Sequence, residues 1–258
     1  MSQLNNYWND RLKKFDEIYN TETTSVLNDV EKYYRTAYND LNKELAALQT
    51  KYADAKTVTM KEELVKDTMD NIDKQLTLLY ENEERIINKS LKNTYVSSYM
   101  AVDESLKGLG ISTKHMIPNA VEDAIRYNWS GATFSDRIWH NKDNLIFNLK
   151  ETINTGLIKG STYHEMAEEL SNRLNVSYEA CRTLINTEVQ AIQVRSTLNN
   201  YEQNGIDKYE VTSILDKKTC KGCKKHDGEI IDISDGVMGQ NLPPYHPNCR
   251  CTILPVIE

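Results

Sequence analysis

The chain is 258 residues long, carries a net charge of −7, and is 27% charged and 39% apolar, with a mean hydropathy of −0.62. That length can bury a real core in one large or two small domains, and the polar balance suits a helix-rich protein with much exposed surface. The negative charge excludes a globally basic nucleic-acid binder, because phosphate binding needs clustered Lys and Arg, and leaves room only for a local basic patch.

No window approaches 18 consecutive apolar residues, so no membrane contact is expected, and the opening MSQLNNYWNDRLKKFDE lacks the apolar stretch of a signal peptide. The expectation is a protein made and folded in a cytoplasm. In a reducing compartment, cysteines clustered at one end of a chain point to metal or redox chemistry before a disulfide framework.

From Tyr7 to about Leu106 the sequence is nearly free of Gly and Pro, and Leu27, Val30, Tyr34, Ala37, Leu41, Leu45 and Leu48 recur three or four apart. Residues 1–107 are therefore read as a helical arm of two or three long helices, folded back as an antiparallel hairpin. Its apolar stripe also allows self-association. Thr57, Val58 and Thr59 interrupt the arm, and Thr59 with Glu62 is expected to form a capping box that starts the next helix. The segment KGLGISTKHMIP marks a boundary.

Residues 118–205 read as a helical domain. Pro118 suits the first turn of a helix ending near Tyr127, Ser135 is expected to cap a helix that Gly160 terminates, and Thr162 with Glu165 makes a second capping box. Ser177 is expected to cap the last helix, which stops at Gly205. Within that helix Cys181 reads as a small buried hydrophobe, and Glu188 as a buried acid satisfied by an arginine such as Arg182 or Arg195. Phe134 and Trp139 read as core. Beyond Gly205 the period changes. KYEVTSIL, GEIIDI and CRCTILPVI are β-rich runs that can pair, so residues 206–258 are read as a small β module packed on the helical domain. The fold class is thus mainly α with a small C-terminal sheet.

Four of the five cysteines fall in this β module, as Cys220-x-x-Cys223 and His246-x-x-Cys249-x-Cys251. Two matched two-residue gaps suit tetrahedral zinc, and the expected ligands are Cys220, Cys223, His246 and Cys249. Cys251, on the same strand face as Cys249, is an alternative ligand, and His226 is a spare. A redox dithiol and unmetallated or disulfide-bonded cysteines are the competing readings. A zinc staple suits small strands with little core of their own. Lys217, Lys218, Lys221, Lys224 and Lys225 form the one basic cluster of the chain, either a DNA contact or a solvated loop. No pair among the five histidines has catalytic spacing. A site closed by four protein ligands argues for structure over catalysis, with a zinc-dependent nuclease or other nucleic-acid-acting hydrolase as the alternative.

The same residues resemble a known family, the Mu F-like phage minor head or head morphogenesis proteins. The resemblance is carried by LINTEVQAIQVRSTLNNYEQNGIDKYEVTSILDKKTCKGCKKHDGEII and GQNLPPYHPNCRCTILP, with weaker likeness in YWNDRLKKFDE and WSGATFSDRIWHNKDNL. Its most specific points are Thr187-Glu188, Asp216, Cys223, Asp227-Gly228, Pro243-Pro244 and His246-Pro247-Asn248-Cys249-Arg250. The resemblance implies a non-enzymatic virion component present in few copies. It implies residence inside the head at the portal vertex after assembly in the host cytoplasm, and contact with portal, scaffold or capsid proteins. A part in DNA binding, packaging or ejection is implied for some members. Some relatives carry a toxin domain after this module; with the chain stopping at Glu258, no appended enzyme is expected.

Overall fold

The structure is a computed structural model that describes residues 2–257, the side chains of residues 2–6 and 9 excepted. Its elements run α1 (Ser2–Asp54), α2 (Val58–Gly108), α3 (Ala120–Arg126), α4 (Phe134–Lys159), α5 (Tyr163–Gln203), β1 (Lys208–Thr212), α6 (Lys221–His226), β2 (Ile230–Asp232), a 3-10 turn (Ile233–Asp235) and β3 (Thr252–Val256). The expected class, mainly α with a small C-terminal sheet, is what folds. No helix among the described residues is long and apolar enough to cross a membrane.

The N-terminal run becomes two helices broken at residues 55–57, beside Thr57, Val58 and Thr59, which are poor helix formers. Thr57, not Thr59, caps α2: its hydroxyl oxygen accepts from the Met60 N–H at 3.2 Å. The helix therefore begins two residues earlier than the capping box predicted, because Thr57 supplies an acceptor for the first free N–H groups. The hairpin is antiparallel. Glu44 meets Gln75, Tyr33 meets Arg85, and Glu22 meets Ser90.

Other ends follow or depart from expectation for definable reasons. Gly160 stops α4 at φ 71° and Gly205 stops α5 at φ 75°, the left-handed conformation that glycine adopts without a Cβ clash. Thr162 and Glu165 form the expected box, with Thr162 N donating to Glu165 at 2.7 Å and Glu165 N to Thr162 Oγ1 at 3.3 Å. Thr162→Ala is expected to cost about 1 kcal/mol, read as a lower denaturation midpoint at unchanged slope. Pro118 precedes the first turn of α3, which opens at Ala120 after a left-handed Asn119. Ser135 lies inside α4, its hydroxyl donating to Glu84. Ser177 caps nothing: α5 runs through it, because its buried hydroxyl is satisfied sideways by Tyr34 and Tyr80.

Contacts divide the chain into two units. The first comprises Met1–Val26, Ile87–Thr133 and Thr183–Glu258; the second, Leu27–Ile86 and Phe134–Arg182. In the second unit the apolar faces of α1, α2, α4 and α5 bury Leu41, Leu45, Ile72, Leu76, Leu149, Ile153 and Leu170. Phe134 is buried there as expected, while Trp139 is half-buried and donates its indole N–H to Glu84 at 3.2 Å. Among these apolar layers sits a polar cluster. Tyr34 donates to Glu83 at 3.2 Å, and Ser177 bonds Tyr34 at 3.0 Å and Tyr80 at 2.5 Å. Cys181 is fully buried as expected, but its thiol hydrogen-bonds the Glu83 carboxyl.

The first unit holds the sheet, ordered β2-β1-β3 and antiparallel throughout, with Tyr209 opposite Ile231 and Pro255, and Val211 opposite Ile253. Pro255 is tolerated because β3 is an edge strand. Tyr209, Val211 and Ile253 point inward onto Leu106, Val194, Leu198 and Tyr201. The C-terminal half of α5 is buried on nearly every side, and its polar residues are satisfied by neighbouring elements. Gln193 donates to the Phe15 carbonyl, Ser196 to that of Tyr95, Asn200 to that of Tyr99, and Tyr201 to that of Ile253.

Candidate metal centre

The cysteine and histidine pairs are brought together by two loops. The first leaves β1 and turns at Asp216, whose carboxylate takes a two-pronged ion pair from Arg250 at 2.7 and 2.9 Å and accepts from the Lys218 N–H at 2.8 Å. The Arg250 guanidinium holds the Asp216 carboxyl far below the usual carboxylate range. This pins the loop before α6 to the residue between Cys249 and Cys251. The short helix α6 then opens on Cys220, whose sulfur accepts from the Cys223 N–H at 3.2 Å. That bond draws the Cys220 thiol below its ordinary value, so a helix-capping geometry favours the thiolate a metal requires. Of the two sulfurs, Cys220 is exposed and Cys223 buried.

The second loop carries His246 and Cys249 across a turn in which Cys249 N donates to the His246 carbonyl at 3.1 Å. His246 Nδ1 faces the Pro247 carbonyl at 2.8 Å. A carbonyl only accepts, so the proton sits on Nδ1 and the lone pair of Nε2 faces the sulfurs, the tautomer that ligates a metal. Nε2 lies 3.3 Å from Cys220 Sγ and 3.1 Å from Cys223 Sγ. Burial opposes the imidazolium, but the Pro247 carbonyl and the neighbouring thiols outweigh it and raise the His246 value.

Cys223 Sγ is 3.8 Å from Cys249 Sγ, which equals the edge of about 3.8 Å of a tetrahedron with metal–sulfur bonds of about 2.3 Å. The ligand atoms form two triads, Cys220–Cys223–His246 and Cys223–Cys249–Cys251, that share Cys223. In the second triad the Cys251 thiol donates to Cys249 and draws its value down to about 5. Cys251 itself is pushed up through that same bond and through burial, and Ser213 Oγ lies 3.2 Å from its sulfur. Burial drives Cys223 up to about 12. The cluster thus offers four sulfurs and an imidazole, with Cys249 and Cys251 both available to complete the triad of Cys220, Cys223 and His246, and its chemistry fits a divalent metal.

The space around the cluster is small. A cleft of about 30 Å³ opens between Thr219, Cys220, Cys223, His246 and Cys251, roughly one water's share and far below the volume of about 300 Å³ or more at which small-molecule sites begin.

His226, the spare ligand of the sequence reading, belongs to neither triad. Its Nδ1 is 2.6 Å from Glu229, and its ring stacks on Tyr245 at 4.3 Å. Lys217, Lys218, Lys221, Lys224 and Lys225 all point into solvent on the first loop and α6. Glu188 is buried and accepts from the Trp129 indole at 3.4 Å; Arg182 pairs with Glu179, and Arg195 lies over the Tyr127 ring. The residues that sequence reasoning missed are on α5. Asn186 donates to the Asn248 side chain at 3.0 Å, Thr187 Oγ1 accepts from the Asn248 N–H at 3.0 Å, and Gln190 donates to the Cys251 carbonyl at 2.7 Å. The Thr187-Glu188 pair was visible as a point of resemblance, but nothing in helical periodicity ties it to a loop sixty residues away.

Comparison with known proteins places this centre in context. Residues 148–254 match the Phage Mu protein F like protein family, a span containing the C-terminal part of α4, all of α5, most of the sheet and both loops. Minor head protein GP7 of Bacillus phage SPP1 is 26% identical over 212 residues, covering 74% of this chain and 67% of that protein. A protein of Enterococcus faecalis named NAD(+)--arginine ADP-ribosyltransferase EFV is 24% identical over 283 residues, covering all of this chain. The chain spans only 56% of that relative's length. No solved structure matches. Residues 148–254, which build the cysteine and histidine loops, are Mu protein F-like, and the chain is similar to a phage minor head protein.

Proposed function

We propose that this chain is a non-enzymatic minor component of a phage head, residing inside the particle at the portal vertex and meeting portal, scaffold or capsid proteins during assembly. One observation carries the reading: the matched segment is the same one that folds into α5, the sheet and the two ligand-bearing loops. Residues 1–107 act as a helical arm for assembly contacts, 118–205 as the helical domain and 206–258 as a β module. Cys220, Cys223, His246 and Cys249 hold a structural zinc ion that ties the loop of α6 to the loop before β3, with Cys251 as the alternative fourth ligand. Four protein ligands leave no open position, and the cleft of about 30 Å³ beside them leaves no room for a substrate. Both features favour a staple over a nuclease centre. The five exposed lysines beside the staple are the surface that meets packaged DNA, where neutralised phosphates release counterions.

The Enterococcus relative bears an enzyme's name. It extends well beyond the length matched here, and we assign its named activity to none of the residues described. Mass spectrometry of purified virions from the encoding phage tests the proposal. The expected result is this chain at low copy number inside nuclease-treated, washed particles; its absence from the particles overturns the head assignment.

A further inference from the structure

The loop that carries His246 and Cys249 has no strand or helix of its own to hold it, yet it must present two ligand atoms to within a few tenths of an ångström. Its turn also contains a non-glycine residue at positive φ, Asn248 at 58°, a conformation that costs free energy unless something holds it. What holds it is one face of α5. The Thr187 hydroxyl donates back to the Thr183 carbonyl at 2.6 Å, which leaves its oxygen lone pair turned to the Asn248 N–H at 3.0 Å. Asn186 fixes the Asn248 side chain at 3.0 Å, and Gln190, one turn on, holds the Cys251 carbonyl at 2.7 Å. Thr187 and Gln190 grip the backbone on the two sides of Cys249, and Asn186 the Asn248 side chain. Thr187 and Gln190 are buried, at 7% and 4% exposure, so water does not compete for these bonds.

We infer that Asn186, Thr187 and Gln190 of α5 are positioning residues for the metal centre, which set the loop from His246 to Cys251 in its ligating conformation before the ion arrives. This rests on the zinc reading of the cluster. Ligands ordered in advance bind without the cost of freezing a mobile loop, and outer residues of this kind typically contribute 10–100-fold to metal affinity.

Thr187→Val is the discriminating change. It keeps the shape of the side chain but removes the oxygen that accepts from Asn248, whereas Thr187→Ser keeps the oxygen. Thr197→Val is the control, because Thr197 is equally buried in α5 and its hydroxyl donates to Gln193 within the helix. Zinc affinity is measured by competition with a chromogenic chelator on the full chain, and ligand geometry by the visible absorption of the cobalt(II)-substituted protein. The expected result is a loss of about 10–100-fold in affinity for Thr187→Val, with altered cobalt bands. Thr187→Ser and Thr197→Val keep wild-type affinity and spectrum. Asn186→Ala, at a half-exposed position, weakens zinc in the same direction and serves if Thr187→Val does not fold. Wild-type affinity in both Thr187→Val and Asn186→Ala overturns the positioning role while leaving the zinc staple standing. A wild-type chain that takes up no zinc overturns both.

Discussion

Glu83→Gln is expected to raise unfolding free energy at pH 8 by roughly 3 kcal/mol and to leave it nearly unchanged at pH 4. Glu83 is 1% exposed, and the groups that face it are Tyr34 from α1, Tyr80 from its own helix, and Ser177 and Cys181 from α5. None of these is a cation. Burial therefore pushes its carboxyl from 4.5 to about 7, with the hydrogen bonds from Cys181 and Tyr34 only partly offsetting the shift. The folded state keeps a proton that the unfolded chain gives up. Stability is accordingly full below pH 4.5, declines as pH rises toward 7 and stays low above it. Gln preserves the shape and the acceptor for Tyr34 but cannot ionise, so this part of the decline disappears. Denaturation curves of the two proteins at pH 4, 6 and 8 give the difference directly, and other titrating groups cancel from it. A difference that does not widen with pH would show that Glu83 is not held neutral in the fold.

Removing the metal is the second large effect. With free zinc 1,000-fold above its dissociation constant, a bound ion adds about 4 kcal/mol to the folded state. Addition of a strong chelator, or the Cys223→Ala change in zinc-containing buffer, is expected to remove that contribution and lower the melting temperature of the first unit. Cys223 is chosen because both triads share it. Cys251→Ser is expected to retain about one equivalent of zinc if Cys249 is the fourth ligand, since Cys251 lies outside the first triad and Cys249 remains to complete it. Elemental analysis beside the melting curves checks both statements. Less than about half an equivalent in wild-type protein purified without chelator, where a closed structural site stays filled, would sink the staple. So would a melting curve that the chelator leaves in place.

Much of the architecture was legible along the chain because it rests on local chemistry. The apolar spacing of Leu41, Leu45 and Leu48, the stops at Gly160 and Gly205, the Thr162–Glu165 box and the three β-rich runs all act over a few residues. The errors came where a distant partner captured a residue that also had a local option. Ser177 and Ser135 are good caps by type, yet one is taken by two tyrosines and the other by Glu84. At the candidate metal centre, the pairing of the two loops followed from spacing alone. The Thr187, Asn186 and Gln190 contacts did not, because Gln190 and Cys251 are 61 residues apart. The Glu83 cluster was hidden for the same reason, its members coming from three helices.

The polar side chains of α5 have a mechanical consequence. Gln190, Gln193, Ser196, Asn200 and Tyr201 reach backbone carbonyls on three neighbouring segments: Phe15 of α1, Tyr95 and Tyr99 of α2, and Cys251 and Ile253 at β3. A greasy helix in an apolar sleeve can shift by one turn, about 5.4 Å, and repack at modest cost. Here the same shift strands every one of those donors at once. Within its unit α5 is thus a keyed shaft and not a piston: rearrangement there proceeds by bending around it or by unfolding, never by axial slip.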